Sequence, residues 1–482
     1  MSVSLFWRRL KPAVSGLEEN QLLMASGRVL LPVCLLFLAV SGASGQEICA
    51  ASVPTVTPDG ATASVFFDSF SVSAGSGGVS TGSRTCGVVI PVQLPSDSVG
   101  IYKIDYRGGV ELAAAQIAHF TVTPAIGSVL GVTFQGDNHG DFVLTQLVGS
   151  GRDNALILNL VLVLEAQQLG DAFAGLDSAD VTTIDYARFS SIKTSIDKLA
   201  AERSSVAAHL GGTADLLLGF LAPVQGENDA TLLASGGSPM IGASGHYAID
   251  DGFSLLAGAA YVHQSAGGAD ANGPLLAGAL RYVQPGTNSV RPFAEGGMWG
   301  APEVTMHLSR QYQNRAGAVE SGGDASGSAL GIYARAGVIY TPNAANELSI
   351  SGGLEQGWLR VGSYAETGRS GNLFTARIGN STSSTTSVKV TAAWTTSGLS
   401  GLDLTLSAAL GRTLGSGRPV SANVDWVGPV EGRAGDFTFV EYGARVGLKF
   451  SSRAKVDAFV FGTAGQKIGT NVQYGAALRL GF

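Results

Sequence analysis

The chain has 482 residues, of which only 14% are charged, and it carries 67 glycines but only 16 prolines. This charge content lies well below the usual quarter for soluble domains. No run of about eighteen apolar residues occurs after residue 45, so helical membrane spans are not supported there. The formal net charge of −7 and the lack of a basic cluster with interleaved aromatics argue against a nucleic-acid partner. Low charge and abundant glycine suit a β-barrel better than a soluble enzyme.

The first 45 residues have the pattern of a secretory signal. An apolar run of about twelve residues, Val29 to Val40, follows Arg28 and is too short to span a bilayer. The small residues Ala43 to Gly45 come next, where a signal peptidase would read them, which predicts cleavage near Gly45 and Gln46. The alternative is an uncleaved membrane anchor, and Met24 is an alternative start.

The cysteines predict one disulfide. Cys34 falls within the signal and would be lost with it. The remaining pair, Cys49 and Cys86, would close a loop of about 38 residues in an exported chain. The alternative is two unpaired buried thiols. Two cysteines without a ligand spacing do not predict a metal site.

Residues 46–170 predict a small exported β-sandwich, because short alternating segments separated by turn residues recur without a helical pattern. The predicted strands lie near 61–72, 86–94, 100–107, 117–123, 131–134, 142–147 and 155–164. Several of their motifs keep a fixed order. They are Pro58-Asp59-Gly60, Phe67-Asp68-Ser69-Phe70, Arg84-Thr85-Cys86, Ile90-Pro91-Val92, Ile104-Asp105-Tyr106-Arg107-Gly108 and Asn154-Ala155-Leu156-Ile157-Leu158-Asn159. On these motifs the region resembles a family of small secreted domains of unknown function, which implies a secreted β-sandwich and no reaction.

Two short motifs in this region can be interpreted either as functional sites or as ordinary loops and turns. Residues 78–82 fit a Gly-x-Ser-x-Gly spacing, but they lie in a Gly/Ser-rich loop without the following helix that a nucleophile elbow needs. Residues 137–141 gather oxygen ligands that could hold Ca²⁺, although the same residues suit a solvated turn. We favour the ordinary interpretation of both and predict no catalytic, cofactor-binding or metal site.

Residues 171–212 predict a helical linker. From Val181 to Leu210 the apolar residues recur at three-, four- or seven-residue steps, which is typical of one face of a helix. Gly211 and Gly212 would end it with left-handed backbone angles. At about 45 Å such a helix is longer than a bilayer core, so it could thread the lumen of a barrel. The alternative is an amphipathic helix packed on the sandwich.

Residues 213–482 predict an antiparallel transmembrane barrel of about twelve strands with an apolar outer face and a polar lumen. In one clear segment Val440, Tyr442 and Val446 would face out while Glu441 and Arg445 face in. The predicted strands are near 214–222, 239–249, 252–262, 275–283, 290–300, 328–340, 347–358, 386–395, 402–412, 439–450, 454–462 and 471–482. Their connections alternate between short and long, as in outer-membrane barrels.

The second half resembles the translocator domain of Gram-negative autotransporters. The carrying residues are Val440 to Gly447, Asp457 to Val460, Gly462 to Gly465 and Tyr474 to Phe482. The resemblance implies that barrel and helix bring an N-terminal domain to the cell surface. It also implies that the last strand, through Tyr474, Leu478, Leu480 and Phe482, is read by the barrel-assembly machinery. The linker has no Asn that would mark self-cleavage in the lumen, so the domain is predicted to stay attached.

The sequence as a whole predicts an all-β outer-membrane protein with a displayed sandwich and no enzymatic activity or cofactor. Its predicted partners are outer-membrane lipid, the secretion translocon, the assembly machinery and an unidentified surface ligand. The alternatives are a porin-like barrel with a periplasmic N-terminal domain and a barrel enzyme. The scattered histidines His246, His263 and His307, without a fixed Ser or Asp partner, disfavour the enzyme.

Overall fold

The computed structural model describes residues 47–48, 55–57, 62–75, 81–152, 155–166, 171–220, 228–266, 269–368, 372–399, 401–415, 419–451 and 453–482. The predicted signal at 1–45 therefore lies outside the described residues. Alternating apolar and polar residues form the strands that precede the first helix. These are β1 (Glu47–Ile48), β2 (Thr55–Val56), β3 (Thr62–Phe66), β4 (Ser71–Ala74), β5 (Thr81–Pro91), β6 (Ser98–Leu112), β7 (Gln116–Pro124), β8 (Leu130–Gln135), β9 (Asn138–Gly149), β10 (Ala155–Ala166) and β11 (Ala172–Arg188).

These strands form the predicted β-sandwich. One sheet has the order β1-β5-β10-β7-β8. In the other, β11 pairs with β3, β4 and β6, and β6 pairs with β9. Ile104 and Tyr106 of one sheet and Phe120 and Leu160 of the other lie in a single buried cluster. The Tyr106 and Phe120 rings meet edge to face across it, with centroids 5.9 Å apart.

The sandwich extends further along the chain than residue 170, where its predicted boundary lies. Residues 172–188, which fall within the predicted linker, form β11 because Ala174, Leu176, Ala179 and Val181 all bury into the sandwich core. The helix α1 (Phe189–Asp215) follows without an intervening loop, and a π-helical turn, Leu216–Phe220, extends it. Its 27 residues span about 40 Å.

The rest of the chain is built on strands. They are β12 (Asp229–Gly237), β13 (Met240–Ala248), β14 (Phe253–Ala266), β15 (Ala269–Val283), β16 (Val290–Asn314), β17 (Gly317–Asn343), β18 (Asn346–Val361), β19 (Tyr364–Ala365), β20 (Thr367–Gly368), β21 (Ala376–Ile378), β22 (Ser381–Leu399), β23 (Leu402–Gly415), β24 (Val420–Val424), β25 (Gly428–Gly432), β26 (Phe437–Lys449), β27 (Ala454–Gly465) and β28 (Gly469–Gly481).

Twelve of these strands, β12 to β18, β22, β23 and β26 to β28, form a closed antiparallel barrel. The ring closes where β12 pairs with β28, with Leu232 opposite Leu478. The predicted strand count is confirmed, but the first predicted strand at 214–222 is wrong. Residues 216–220 instead extend α1, and the first barrel strand begins at Asp229.

The barrel has its apolar face outside. Val440, Tyr442 and Val446 are exposed, whereas Glu441 and Arg445 between them are buried, as predicted. A barrel with this arrangement suits lipid around it and polar groups within. No helix among the described residues has the length and apolar content needed to cross a bilayer.

The two barrel ends differ. Connections β13–β14, β15–β16, β17–β18, β22–β23 and β26–β27 lie at one end, which we call the far end. The other end, which we call the sandwich end, carries a long hairpin and a small sheet. The predicted long loop between 300 and 328 is instead strand, because β16 and β17 stay paired to the turn at Asn314 and Gly317, with one register shift between Ala301 and Val304. The small sheet has the order β19-β21-β24-β25.

Candidate functional site: the helix-filled lumen

Helix α1 lies inside the barrel, and the sandwich caps its N-terminus. The carbonyl oxygen of Asp97 accepts a hydrogen bond from the Phe189 N–H at 2.7 Å. Its carboxylate accepts one from the Ser190 N–H at 3.0 Å. These bonds satisfy N–H groups that have no partner within the helix. The hydrogen bonds from Ser190 lower the pKa of Asp97 below its ordinary value.

The long hairpin and the small sheet contact the first turns of the helix at the sandwich end. Ser191 Oγ accepts a hydrogen bond from the Gln313 N–H at 2.8 Å, near the tip of the long hairpin. Asp197 accepts one from the Arg433 N–H at 2.9 Å. Gly432 lies so close to the helix that a Cβ there would collide with the backbone oxygen of Ile196. The sequence needs glycine at this position for the close approach.

A fully buried ion pair stands beside this part of the helix. Arg310 Nε and Nη2 donate to the two carboxylate oxygens of Glu366 at 2.7 and 2.8 Å. Arg310 also donates to the carbonyl of Phe374 at 2.6 Å and to Ser195 Oγ of the helix at 3.3 Å. Ser321 Oγ donates to Glu366 at 2.7 Å. Bidentate geometry with further hydrogen bonds is what makes such a buried pair tolerable.

The glycine pair of the helix has a different role from the predicted one. Gly211 and Gly212 lie inside α1 and do not end it. A Cβ on Gly211 would lie 2.6 Å from Glu355 Oε1, and one on Gly212 would lie 2.7 Å from Thr463 Oγ1. The pair therefore lets the helix approach two walls of the barrel at once. Glycine is typical both of a helix end and of a close backbone approach. The sequence alone therefore assigned this glycine pair the wrong role.

Charged groups from the barrel wall meet the C-terminal end of the helix. Asp215 forms an ion pair with Lys389, which also contacts Glu441 at 3.0 Å. Arg335 lies 3.7 Å from Asp215 and 2.7 Å from Glu295. Because each cation lies between two carboxylates, helix and wall are joined in one network. Alternation predicted that Arg335 and Glu441 face the lumen, but not which residues they meet.

A cavity of about 130 Å³ adjoins the last helical turn. Its lining includes Asp215, Arg281, Arg335, Glu441 and Arg445 together with wall serines and threonines. Apolar side chains such as Phe293, Ile339 and Phe461 also line it, and its volume is large enough for a few waters. The lumen therefore holds both the helix and a small cavity with charged groups on its wall.

The predicted site residues fall in several places. Cys86 is fully buried in β5, but Cys49 lies outside the described residues, so their disulfide stays a prediction. Of the Gly-x-Ser-x-Gly motif, 78–80 also lie outside them. Asp137 and His139 contact each other at 3.0 Å at the exposed turn between β8 and β9. Among the described residues, no group of three or more His, Cys, Asp or Glu is placed to hold a metal ion.

The four residues of the predicted assembly signal lie together on the outer face of the barrel. Tyr474, Leu478, Leu480 and Phe482 are 58%, 39%, 43% and 73% exposed. Gln473, Ala477 and Arg479, which alternate with them, are buried. The faces of β28 are thus as predicted, and the recognition of this strand stays a prediction.

No family model matches the chain, and no curated protein matches it. Among solved structures it is similar to the translocator domain of the autotransporter NalP from Neisseria meningitidis, with 15% identity, a TM-score of 0.41, and 58% of this chain and 97% of that chain covered. It is similar to the beta domain of the Bordetella autotransporter BrkA, with 16% identity, a TM-score of 0.32, and coverage of 53% and 99%. It is also similar to the NanC porin, with 9% identity, a TM-score of 0.27, and coverage of 53% and 98%. Likeness at this level concerns the barrel fold alone.

Proposed function

We propose that this protein is an autotransporter-like outer-membrane protein that displays its β-sandwich at the cell surface through its own barrel. The observation that carries the proposal is the path of the chain. The sandwich lies at one end of the barrel, and α1 descends from it into the lumen. Asn228 then lies at the far end, where its carbonyl accepts a hydrogen bond from the Phe482 N–H at 3.0 Å. The sandwich and the start of β12 are thus on opposite sides of the barrel.

The outer membrane suits the barrel because its exposed face is apolar while its buried lumen face carries the charges. In a bilayer this arrangement leaves no unpaired strand edge, since the ring is closed. Lipid is accordingly the proposed surroundings of the barrel. The barrel-assembly machinery and the secretion translocon are its proposed partners during export.

We also propose that the sandwich stays attached and acts by binding rather than by catalysis. Strand β11 continues directly into α1, and the long hairpin pairs with it where Ala187 lies opposite Asn314. The Arg315 N–H donates to the Tyr186 carbonyl at 2.9 Å. These contacts favour a sandwich fixed at the barrel mouth over one on a loose tether.

Cysteine labelling on intact cells tests the direction of display. Ala114→Cys places a thiol in the exposed connection between β6 and β7, away from the barrel, and Asp251→Cys places one at the far end. A membrane-impermeant maleimide should label the first on intact cells and the second only after the outer membrane is permeabilised. The reverse pattern would favour a porin-like barrel with a periplasmic sandwich.

A further inference from the structure

An arginine interrupts the lipid-facing row of β23. The outward side chains of this strand are Leu402, Leu404, Leu406, Ala408, Leu410, Arg412 and Leu414. Leu410 and Leu414 on either side of Arg412 are 59% and 43% exposed. A charge on the lipid face costs about 2–4 kcal/mol at the midplane but little near the membrane surface. The depth of Arg412 in the membrane therefore decides whether its charge is costly or can contact lipid headgroups.

The neighbouring strands place Arg412 at the edge of the apolar band. Arg412 lies opposite Val388 on β22 and opposite Thr438 on β26. Toward the sandwich end, the outward residue after Val388 is Thr386. On β26, Thr438 is likewise the next outward residue after Val440 in the direction of the sandwich end, and it is also polar. At this level a bilayer changes from hydrocarbon to headgroups, and long cationic side chains reach the polar zone.

A surface cavity of about 330 Å³ opens beside Arg412. It is lined by Arg412, Asp436, Phe437, Thr438, Gln466 and Lys467. Lys467 Nζ donates to the backbone carbonyl of Asp436 at 2.8 Å. Arg412 lies 3.5 Å from the Asp436 carboxylate, with both side chains largely exposed. The pocket therefore presents two cations and one carboxylate among the described residues.

We propose that this pocket binds the phosphate group of a lipid headgroup. The guanidinium of Arg412 and the ammonium of Lys467 would donate charge-assisted hydrogen bonds to phosphate oxygens. Leu410, the next outward residue toward the far end, would contact the acyl chain below the headgroup. The backbone carbonyl of Asp436 accepts the hydrogen bond from Lys467, whereas its carboxylate lies near Arg412 and competes with a phosphate for this cation. The inference requires the barrel to lie in lipid, but it does not depend on the direction of display.

Native mass spectrometry of the full chain in detergent, titrated with phosphatidic acid, tests the site. The double variant Arg412→Gln/Lys467→Gln should bind about thirtyfold more weakly, since each cation near a lipid surface contributes about fivefold. The matched control Lys449→Gln/Arg453→Gln removes the same charges at the far end and should bind normally. Asp436→Asn removes the opposing charge and should bind more tightly.

Several results would overturn the inference. They are unchanged binding in the double variant, an equal loss in the control, or weaker binding in Asp436→Asn. A parallel titration with inorganic phosphate distinguishes the source of the ligand. If phosphate alone saturates the site and displaces the lipid, the pocket binds a free anion and the lipid assignment fails. Retained heat-dependent mobility on gels shows that each variant is folded, so that a loss of binding can be assigned to the pocket.

Discussion

Side chains alternate between two faces in the strands of both the sandwich and the barrel, but the buried face is apolar in one and polar in the other. On β6 of the sandwich, Ile104 and Tyr106 are buried and Arg107 is exposed. On β26 of the barrel, Val440 and Tyr442 are exposed and Glu441 is buried. One chain thus contains a domain that buries its apolar side chains and a barrel that exposes apolar side chains on its outer face.

An exposed apolar side chain therefore has a different meaning in the two regions, and burial alone does not distinguish a sandwich strand from a barrel strand. The sandwich interior is filled by apolar side chains, whose transfer from water stabilises the fold. The barrel interior also contains an apolar cluster, between α1 and the wall. In addition it contains paired charges, and each of these is stabilising only while its partner is present.

The largest effect is expected when one partner of the buried pair beside α1 loses its charge. Glu366→Gln leaves Arg310 buried without a counter-charge, which should cost about 3–5 kcal/mol. Urea unfolding of the protein in lipid vesicles, followed by tryptophan fluorescence, measures the loss. Glu303→Gln, at an exposed position on the same strand as Arg310, should change little. An unchanged unfolding midpoint for Glu366→Gln would show that the interior pair is dispensable.

The outer faces can be compared with two leucines of nearly equal exposure. Leu406 in the barrel and Leu147 in the sandwich are 42% and 41% exposed. Leu406→Arg should cost about 2–4 kcal/mol, because the charge enters hydrocarbon. Leu147→Arg should stay within about 0.5 kcal/mol, because the same charge enters water. Equal effects of the two changes, by the same urea titration in vesicles, would contradict a lipid-embedded barrel.

A smaller effect is expected where the small sheet packs on the helix. Gly432→Ala would drive a methyl group into the backbone of Ile196, and overpacking of this kind costs about 1–3 kcal/mol. Gly352, on β18 of the barrel, has open space where a Cβ would be, so Gly352→Ala serves as the control. Hydrogen exchange of α1 measures the result. Equal protection of the helix in both variants would exclude a tight contact.

Alternation alone predicted most of the barrel. It identified eleven of the twelve strands and the inward Arg335 and Glu441, because a residue's side in a strand follows from its parity. The strand predicted at 214–222 was wrong, because a short apolar run such as Leu216–Phe220 is compatible with either a strand or a helix. Alternation also missed β11, because helical spacing from Val181 onward continues into α1.

The contacts of the lumen could not be predicted from the sequence. Arg310 and Glu366 are 56 residues apart, and Asp215 and Lys389 are 174 apart. Only closure of the barrel and entry of the helix bring them together. The side of a strand on which a charge lies is local information, whereas its partner depends on the whole ring.

The smallest effect concerns the junction between the two regions, at Asp97. The folded pKa of this carboxyl lies below its ordinary value because it accepts hydrogen bonds from Ser190. Its contribution is therefore present above the unfolded pKa, near 4, and is lost as the pH falls through the lower folded value. Asp97→Asn keeps the left-handed backbone angle, which Asn also tolerates, but removes this pH dependence. Hydrogen exchange at Ser190, corrected for intrinsic rates, should lose protection in that acidic range in the wild type only. The same loss in Asp97→Asn would assign the pH dependence to another group.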